Sequence, residues 1–253
     1  MTVALAIEPL AEDALLLRFG DGIDIGVNAR VHAAARALRT AALPGIVDIA
    51  PAYATLLLRF DPGAWLDTPP SGTLPHEKLA EALRPIATRA TDPGLRHDDE
   101  HKADTRNRLA RRMEIPVCYG GGYGPDLDAV AEHAGLAPDE VITRHAAAGY
   151  TIAMIGFAPG FPYLLGLDPA LAIPRRRNPR TRVPAGSVAI GGAQTGIYPR
   201  ELPGGWQLIG RTPLVLFDPR REPPCLLAPG DGLRFRAIRA DEFERLAGHP
   251  RGD

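Results

Sequence analysis

The chain is 253 residues long, 45% hydrophobic and 23% charged, with a net charge of −1, a composition that fits one large or two small globular domains. Without a basic excess it lacks the footprint of a nucleic-acid binder. Two cysteines, Cys118 and Cys225, exclude a disulfide framework, and no apolar run reaches the ~20 residues of a membrane span.

Met1–Leu10 carries Glu8 and no basic start, so no signal peptide and a cytoplasmic location are expected. Val3–Pro9 and Ala14–Phe19 predict short strands around the acidic turn Ala11–Asp13. Val27–Ala42 has apolar positions at helical spacing, a cap near Asn28 and a stop at Leu43-Pro44-Gly45. Ile46–Ala50 and Thr55–Phe60 predict two more strands, and His76–Ala90 a second helix. The order ββαββα predicts a small α+β domain over residues 1–90, with helices on one sheet face. Residues 91–112 are polar, charged and almost free of large apolar side chains, which predicts a linker.

Residues 113–253 then form the second expected domain. Arg112–Cys118 predicts a strand, Asp126–Ala134 and Pro138–Ala148 two helices, and Tyr150–Phe157 another strand. Beyond Ala158 the helical signals vanish. Ser187–Ile190, Trp206–Ile209, Leu214–Phe217 and Leu233–Ala237 predict short strands between Gly/Pro turns, as in a β-barrel or sandwich. Asp241–Ala247 predicts a short final helix.

The chemistry-bearing residues are few. Only two lysines (Lys78, Lys102) and two serines (Ser71, Ser187) are present, which leaves almost no candidate for a Schiff-base lysine or a serine nucleophile. Ser187 is not in a G-x-S-x-G elbow and reads as a strand-start residue. His97-Asp98-Asp99-Glu100-His101 matches the inverted-zincin pattern, but no apolar stripe accompanies it, so no metal site is expected. The glycine loop Gly120–Gly124 before Asp126 fits either a tight turn or an anion cradle at a helix start, with Asp126 as the cap. It lacks the Lys-Ser/Thr of a nucleotide loop. Cys118 beside it reads as a small buried hydrophobe. His145, late in a helix, fits either a partner of the last carbonyls or a donor and acid/base. The densest constellation runs from Gly156 to Asp218. Its loops carry Arg175, Arg180, Gln194, Tyr198 and Arg211 among aromatic, proline and glycine residues, a pattern suited to a small carboxylate or phosphate. Arg176, Arg177 and Arg182 read as surface arginines.

The stretches IPVCYGG (115–121), GFAPGFPYL (156–164), PRRRNPR (174–180), VPAGSVAIGGAQTGIYP (183–199), PGGW and GRTP resemble the allophanate hydrolase subunit 1 family. That family includes the B subunit of prokaryotic 5-oxoprolinase and a sporulation kinase inhibitor. The resemblance implies a cyclophilin-like barrel as the second domain. It also implies an ATP-dependent 5-oxoprolinase that opens 5-oxo-L-proline to L-glutamate, with ATP (and Mg) as co-substrate. Partner subunits C and A are implied, and inactivity alone. On this reading His145 is the donor or acid/base, Arg175, Arg180 and Arg211 clamp anions, and Gln194 and Tyr198 orient the amide. Two other readings stay open: a regulatory protein that inhibits a sensor histidine kinase, and a subunit in urea or allophanate metabolism. The chain departs from the family pattern at Leu202, where a serine is expected before Pro-Gly-Gly-Trp.

Overall fold

The structure, a computed structural model, describes residues 5–91 and 111–248, and these fall into two units with separate cores. Most of the expected linker, with the His97–His101 motif, lies outside the described residues. Its ends do not: Thr91 closes a helix and Arg112 opens a strand.

The first unit runs β1 (Ala6–Ala11), β2 (Ala14–Arg18), α1 (Ile25–Ala41), β3 (Ile46–Pro51), β4 (Thr55–Phe60), a 3₁₀ turn (Pro62–Trp65) and α2 (Pro75–Thr91). The strands form one antiparallel sheet in the order β1-β2-β4-β3. Period-two alternation sends Leu15, Leu17, Leu56 and Leu58 to one face, where they are buried, and leaves Leu16 and Leu57 half-buried on the other. Val31, Ala34, Ala35 and Leu38 of α1 and Leu79, Leu83 and Ala87 of α2, spaced three and four apart, complete this core. The cap of α1 is Asp24, whose side chain accepts from Val27 N–H at 2.8 Å, and not Asn28. Asn28 is buried and donates instead to the carbonyls of Ala52 and Tyr53 at 3.0 and 3.1 Å. The buried Lys78 ammonium donates to the carbonyls of Trp65, Leu66 and Thr68, so its three donors close the 3₁₀ turn and the chain after it.

The second unit contains β5 (Arg112–Tyr119), α3 (Leu127–Ala134), α4 (Pro138–Ala147), β6 (Tyr150–Ile155), β7 (Pro162–Leu165), β8 (Arg180–Val183), β9 (Ser187–Gly191), β10 (Gln194–Ile197), β11 (Leu202–Gly204), β12 (Gln207–Arg211), β13 (Gly232–Ile238) and α5 (Ala240–Ala247). Seven strands close a barrel in the order β10-β7-β6-β13-β5-β12-β9, and β8 pairs with β11 as a separate ribbon. Every barrel pair is antiparallel except β13 with β5. The expected closed β-barrel is therefore present. Leu214–Phe217 is not a strand. Phe217 makes one isolated bridge to Cys225, while Leu216 drops into the barrel core from a loop.

Candidate functional site

Alternation along the barrel strands sorts side chains onto two faces. Val188 and Ile190 of β9, Ile197 of β10, Leu164 of β7 and Ile209 of β12 point into the main core. Their neighbours Ala189, Tyr198 and Leu208 join Phe161, Trp206 and the ribbon residue Val183 in a second cluster on the outer face, with Tyr163 packed against it. The aromatic rings meet edge to face: Phe161 lies 5.1 Å from Tyr198 and 5.8 Å from Trp206, and Tyr163 5.8 Å from Trp206.

Glycines make this packing possible. A Cβ at Gly191 would sit 2.6 Å from the Trp206 ring, and one at Gly204 only 2.2 Å from the Tyr198 hydroxyl. A Cβ at Gly196 would meet the Phe161 ring at 3.1 Å. The rings lie on the strand backbone itself, which explains why the motif alternates glycine with aromatic residues.

Over this floor stands a cation. Arg175 is exposed, with its guanidinium carbon 5.7 Å from the centre of the Trp206 ring. Burial pushes the Tyr198 and Tyr163 hydroxyls above their ordinary values, and Arg175 pulls both partly back. Gln194 lies two positions before Gly196 and four before Tyr198, so it belongs to the same strand face, half-buried. Tyr198 itself is 2% exposed, so it forms the floor of this surface and does not reach a solvent-borne ligand as the sequence suggested.

Arg180 and Arg176 are held from below. The carboxylate of Asp126, 5% exposed, accepts from both terminal nitrogens of Arg180 at 2.8 Å, from Arg176 at 3.0 Å and from Leu208 N–H at 2.7 Å. Asp126 precedes α3 as expected, but its side chain makes no cap bond there. Arg180 is thus committed to an internal carboxylate and is not a free anion clamp, and Arg176, half-buried, is paired to the same carboxylate. With two arginines on one carboxylate the cluster remains net positive.

His145 sits elsewhere, fully buried between α4 and the barrel. Its ring stacks on Phe235 at 4.6 Å. Thr195 donates its hydroxyl proton to the Ala189 carbonyl at 2.9 Å, so its oxygen accepts from His145 Nε2–H at 3.1 Å. Nδ1 is then left to accept from the Tyr119 hydroxyl at 2.8 Å. Burial lowers the imidazole from 6.5 to about 3. Neutral, sealed and with both nitrogens used, His145 is a core residue in this geometry and not one that meets substrate.

Arg211 is also placed apart. Its Nε donates to the Ala185 carbonyl at 2.7 Å and its guanidinium lies 5.9 Å from the ring centre of Phe243 in α5. It does not share the contacts of Tyr198 or Trp206. Cys118 is buried near α5, with its thiol pushed up by burial and by Glu244. Ser187 starts β9 and donates to the Pro184 carbonyl at 2.8 Å. The glycine loop is a tight turn: Gly120 and Gly121 have φ of +67° and +52°, and Gly124 backs directly onto Ile209. Among the described residues no cluster of metal-ligating side chains is present, and no helix is long and apolar enough to cross a membrane.

The closed barrel, with its aromatic face and paired arginines, is consistent with a carboxyltransferase-type fold. The chain belongs to the family described as "Carboxyltransferase domain, subdomain C and D", which matches residues 5–227. Within it the chain is 43% identical to the B subunit of the Bacillus subtilis 5-oxoprolinase, over 96% of this chain and 97% of that protein. It is 57% identical over 126 residues to the B subunit of the 5-oxoprolinase of Escherichia coli O157:H7, half of this chain and 58% of that one. The solved protein TTHA0988 superposes with a TM-score of 0.71 at 38% identity, over 90% of this chain and 40% of its own.

Proposed function

We propose that this chain is the B subunit of a cytoplasmic, ATP-hydrolysing 5-oxoprolinase that acts with subunits C and A. The observation that carries the reading is the 43% identity, from end to end, to the corresponding 5-oxoprolinase subunit of Bacillus subtilis. The site agrees in chemistry. A small lactam bearing a carboxylate needs a cation that reaches solvent and flat apolar surface around it. Arg175 supplies the first, and the half-buried Tyr163 at the rim of the aromatic cluster contributes to the second, with the half-buried Gln194 placed to bond the amide.

The difficulty of the reaction is the resonance of the amide. Transfer of the γ-phosphoryl group of ATP to the lactam oxygen releases ADP and makes the ring carbon electrophilic; water adds there, the C–N bond breaks with its nitrogen taking a proton, and inorganic phosphate leaves to give glutamate. The glycine loop lacks the Lys-Ser/Thr of a nucleotide loop, so the nucleotide and its Mg are assigned to the partner subunits. This chain's residues bind and orient: Arg175 holds the carboxylate, while Asp126 fixes Arg176 and Arg180 and with them the loop that carries Arg175.

The test is reconstitution. The three subunits together should release ADP and glutamate from ATP and 5-oxoproline, and this chain alone should not. Full turnover by this chain alone would reject the subunit reading. No turnover in any combination, with inhibition of a histidine kinase instead, would favour the regulatory alternative.

A further inference from the structure

Phe157 is held in a backbone conformation that large side chains avoid. Its φ is +65°, and the Ala158 N–H donates to the Gly156 carbonyl at 2.7 Å across it. Together these define a γ-turn of the positive-φ hand, the rare and strained form. Flanking bonds fix the turn: Gly156 N–H donates to the Phe161 carbonyl at 3.1 Å, and Phe161 N–H to the Ala158 carbonyl at 3.0 Å. Burial does not explain the strain, because the side chain is 61% exposed. A glycine would satisfy this backbone without strain, so what the conformation presents is the ring.

The ring stands edge-on to Phe161, with centroids 5.5 Å apart, and to Tyr198 at 6.5 Å. It projects the aromatic floor into solvent on the surface that carries Arg175. Beneath it Phe161, Tyr198 and Trp206 are 2, 2 and 5% exposed. The apolar area on offer is therefore the Phe157 ring with the half-buried Tyr163 and Leu202 of the same cluster. That is little for a protein partner, whose anchors need a broad patch, and sufficient for a small flat compound. Arg175 stands over Trp206, which packs edge to face on Phe161, the neighbour of Phe157, and selects a compound that is also anionic.

We propose that Phe157 is a specificity-determining residue that covers the lactam ring of the substrate, a proposal that rests on the 5-oxoprolinase reading. The reconstituted three-subunit complex tests it with Phe157→Gly, Phe157→Ala and Phe157→Tyr, and with Arg175→Ala in parallel. Loss of the ring should raise the KM for 5-oxoproline about tenfold in both the glycine and alanine variants, with the KM for ATP unchanged. Tyrosine should restore it. The glycine variant should melt about 2–4 °C above the alanine variant, since only alanine keeps a Cβ at this φ. Equal KM effects despite unequal melting separate the ring's role from the backbone's. An unchanged KM for 5-oxoproline in the Phe157 variants, with a raised one in Arg175→Ala, would overturn the proposal and leave the enzymatic reading standing. Activity lost and then recovered at higher partner-subunit concentration would overturn it in favour of a docking anchor. A wild-type complex that does not turn over 5-oxoproline would remove both.

Discussion

Arg180 grips Asp126 through both terminal nitrogens, each 2.8 Å from a carboxylate oxygen, although 54 positions separate them in sequence. Asp126 also takes Arg176 and the Leu208 N–H, so one carboxylate joins the start of α3, the loop before β8 and the entry to β12. Removing it strands two arginines with one partner fewer than either needs. Asp126→Ala should lower stability by about 3 kcal/mol, read as a shift in the denaturant midpoint. Arg176→Ala should have a smaller effect, since Arg180 keeps its two bonds. Equal effects of the two substitutions would show that Asp126 is not the centre of the network.

His145 gives the second unit a pH dependence with a definite sign. In the unfolded chain the imidazole takes a proton near 6.5, while the folded one holds none until about 3. Between those values the unfolded state binds more protons, so stability is present in full above 6.5 and is lost as pH falls. The slope should approach ~1.4 kcal/mol per pH unit inside the window. His145→Gln should flatten the profile of melting temperature against pH between 6 and 4 relative to wild type. Parallel profiles would show that the imidazole is accessible in the folded protein.

Gly191 and Gly192 are neighbours with opposite expectations. At Gly191 a Cβ collides with the Trp206 ring at 2.6 Å, whereas at Gly192 it meets nothing but would sit at a φ of +65°. Gly191→Ala should therefore cost about 1–3 kcal/mol and shift the fluorescence of Trp206. Gly192→Ala should cost about 1 kcal/mol through backbone strain alone and leave the emission unchanged. Trp65, the other tryptophan, belongs to the first unit's core and serves as the internal reference.

Lys78→Met should loosen the first unit locally. Three carbonyls lose their shared donor, and those of Leu66 and Thr68 lie in partly buried surroundings. A loss of about 1–3 kcal/mol is expected. Hydrogen exchange should quicken through the segment after Trp65 while the β2–β4 amides stay protected.

The elements legible in the sequence were those with an unbroken apolar run or period. Thr55–Phe60 is leucine-rich and bounded by turn residues, and is a strand over those same residues, while Leu79, Leu83 and Ala87 mark α2. The strands β7, β8, β10 and β11 were not legible, because three or four residues with glycine, proline or arginine carry no alternation. Leu214–Phe217 misled for the converse reason: a loop can feed apolar side chains to a core without pairing. Within the site, the aromatic and arginine residues were visible as a set, but their depth was not. The spacing of Val141 and His145, four apart on one helical face and both fully buried, was the available sign that the histidine faces inward. Nothing local announced that Asp126 would spend its carboxylate on arginines 50 and 54 residues away.

The family match ends at residue 227, yet β13 begins at Gly232. That strand lies between β6 and β5 and is the piece that turns an open sheet into a closed one. A fragment trimmed to the matched span would expose two raw edges along β5 and β6 and uncover Ile115 and Val117 beside them. Such edges invite pairing with other chains, so the trimmed protein should be recovered as aggregate and the same fragment extended through Ile238 as a discrete species.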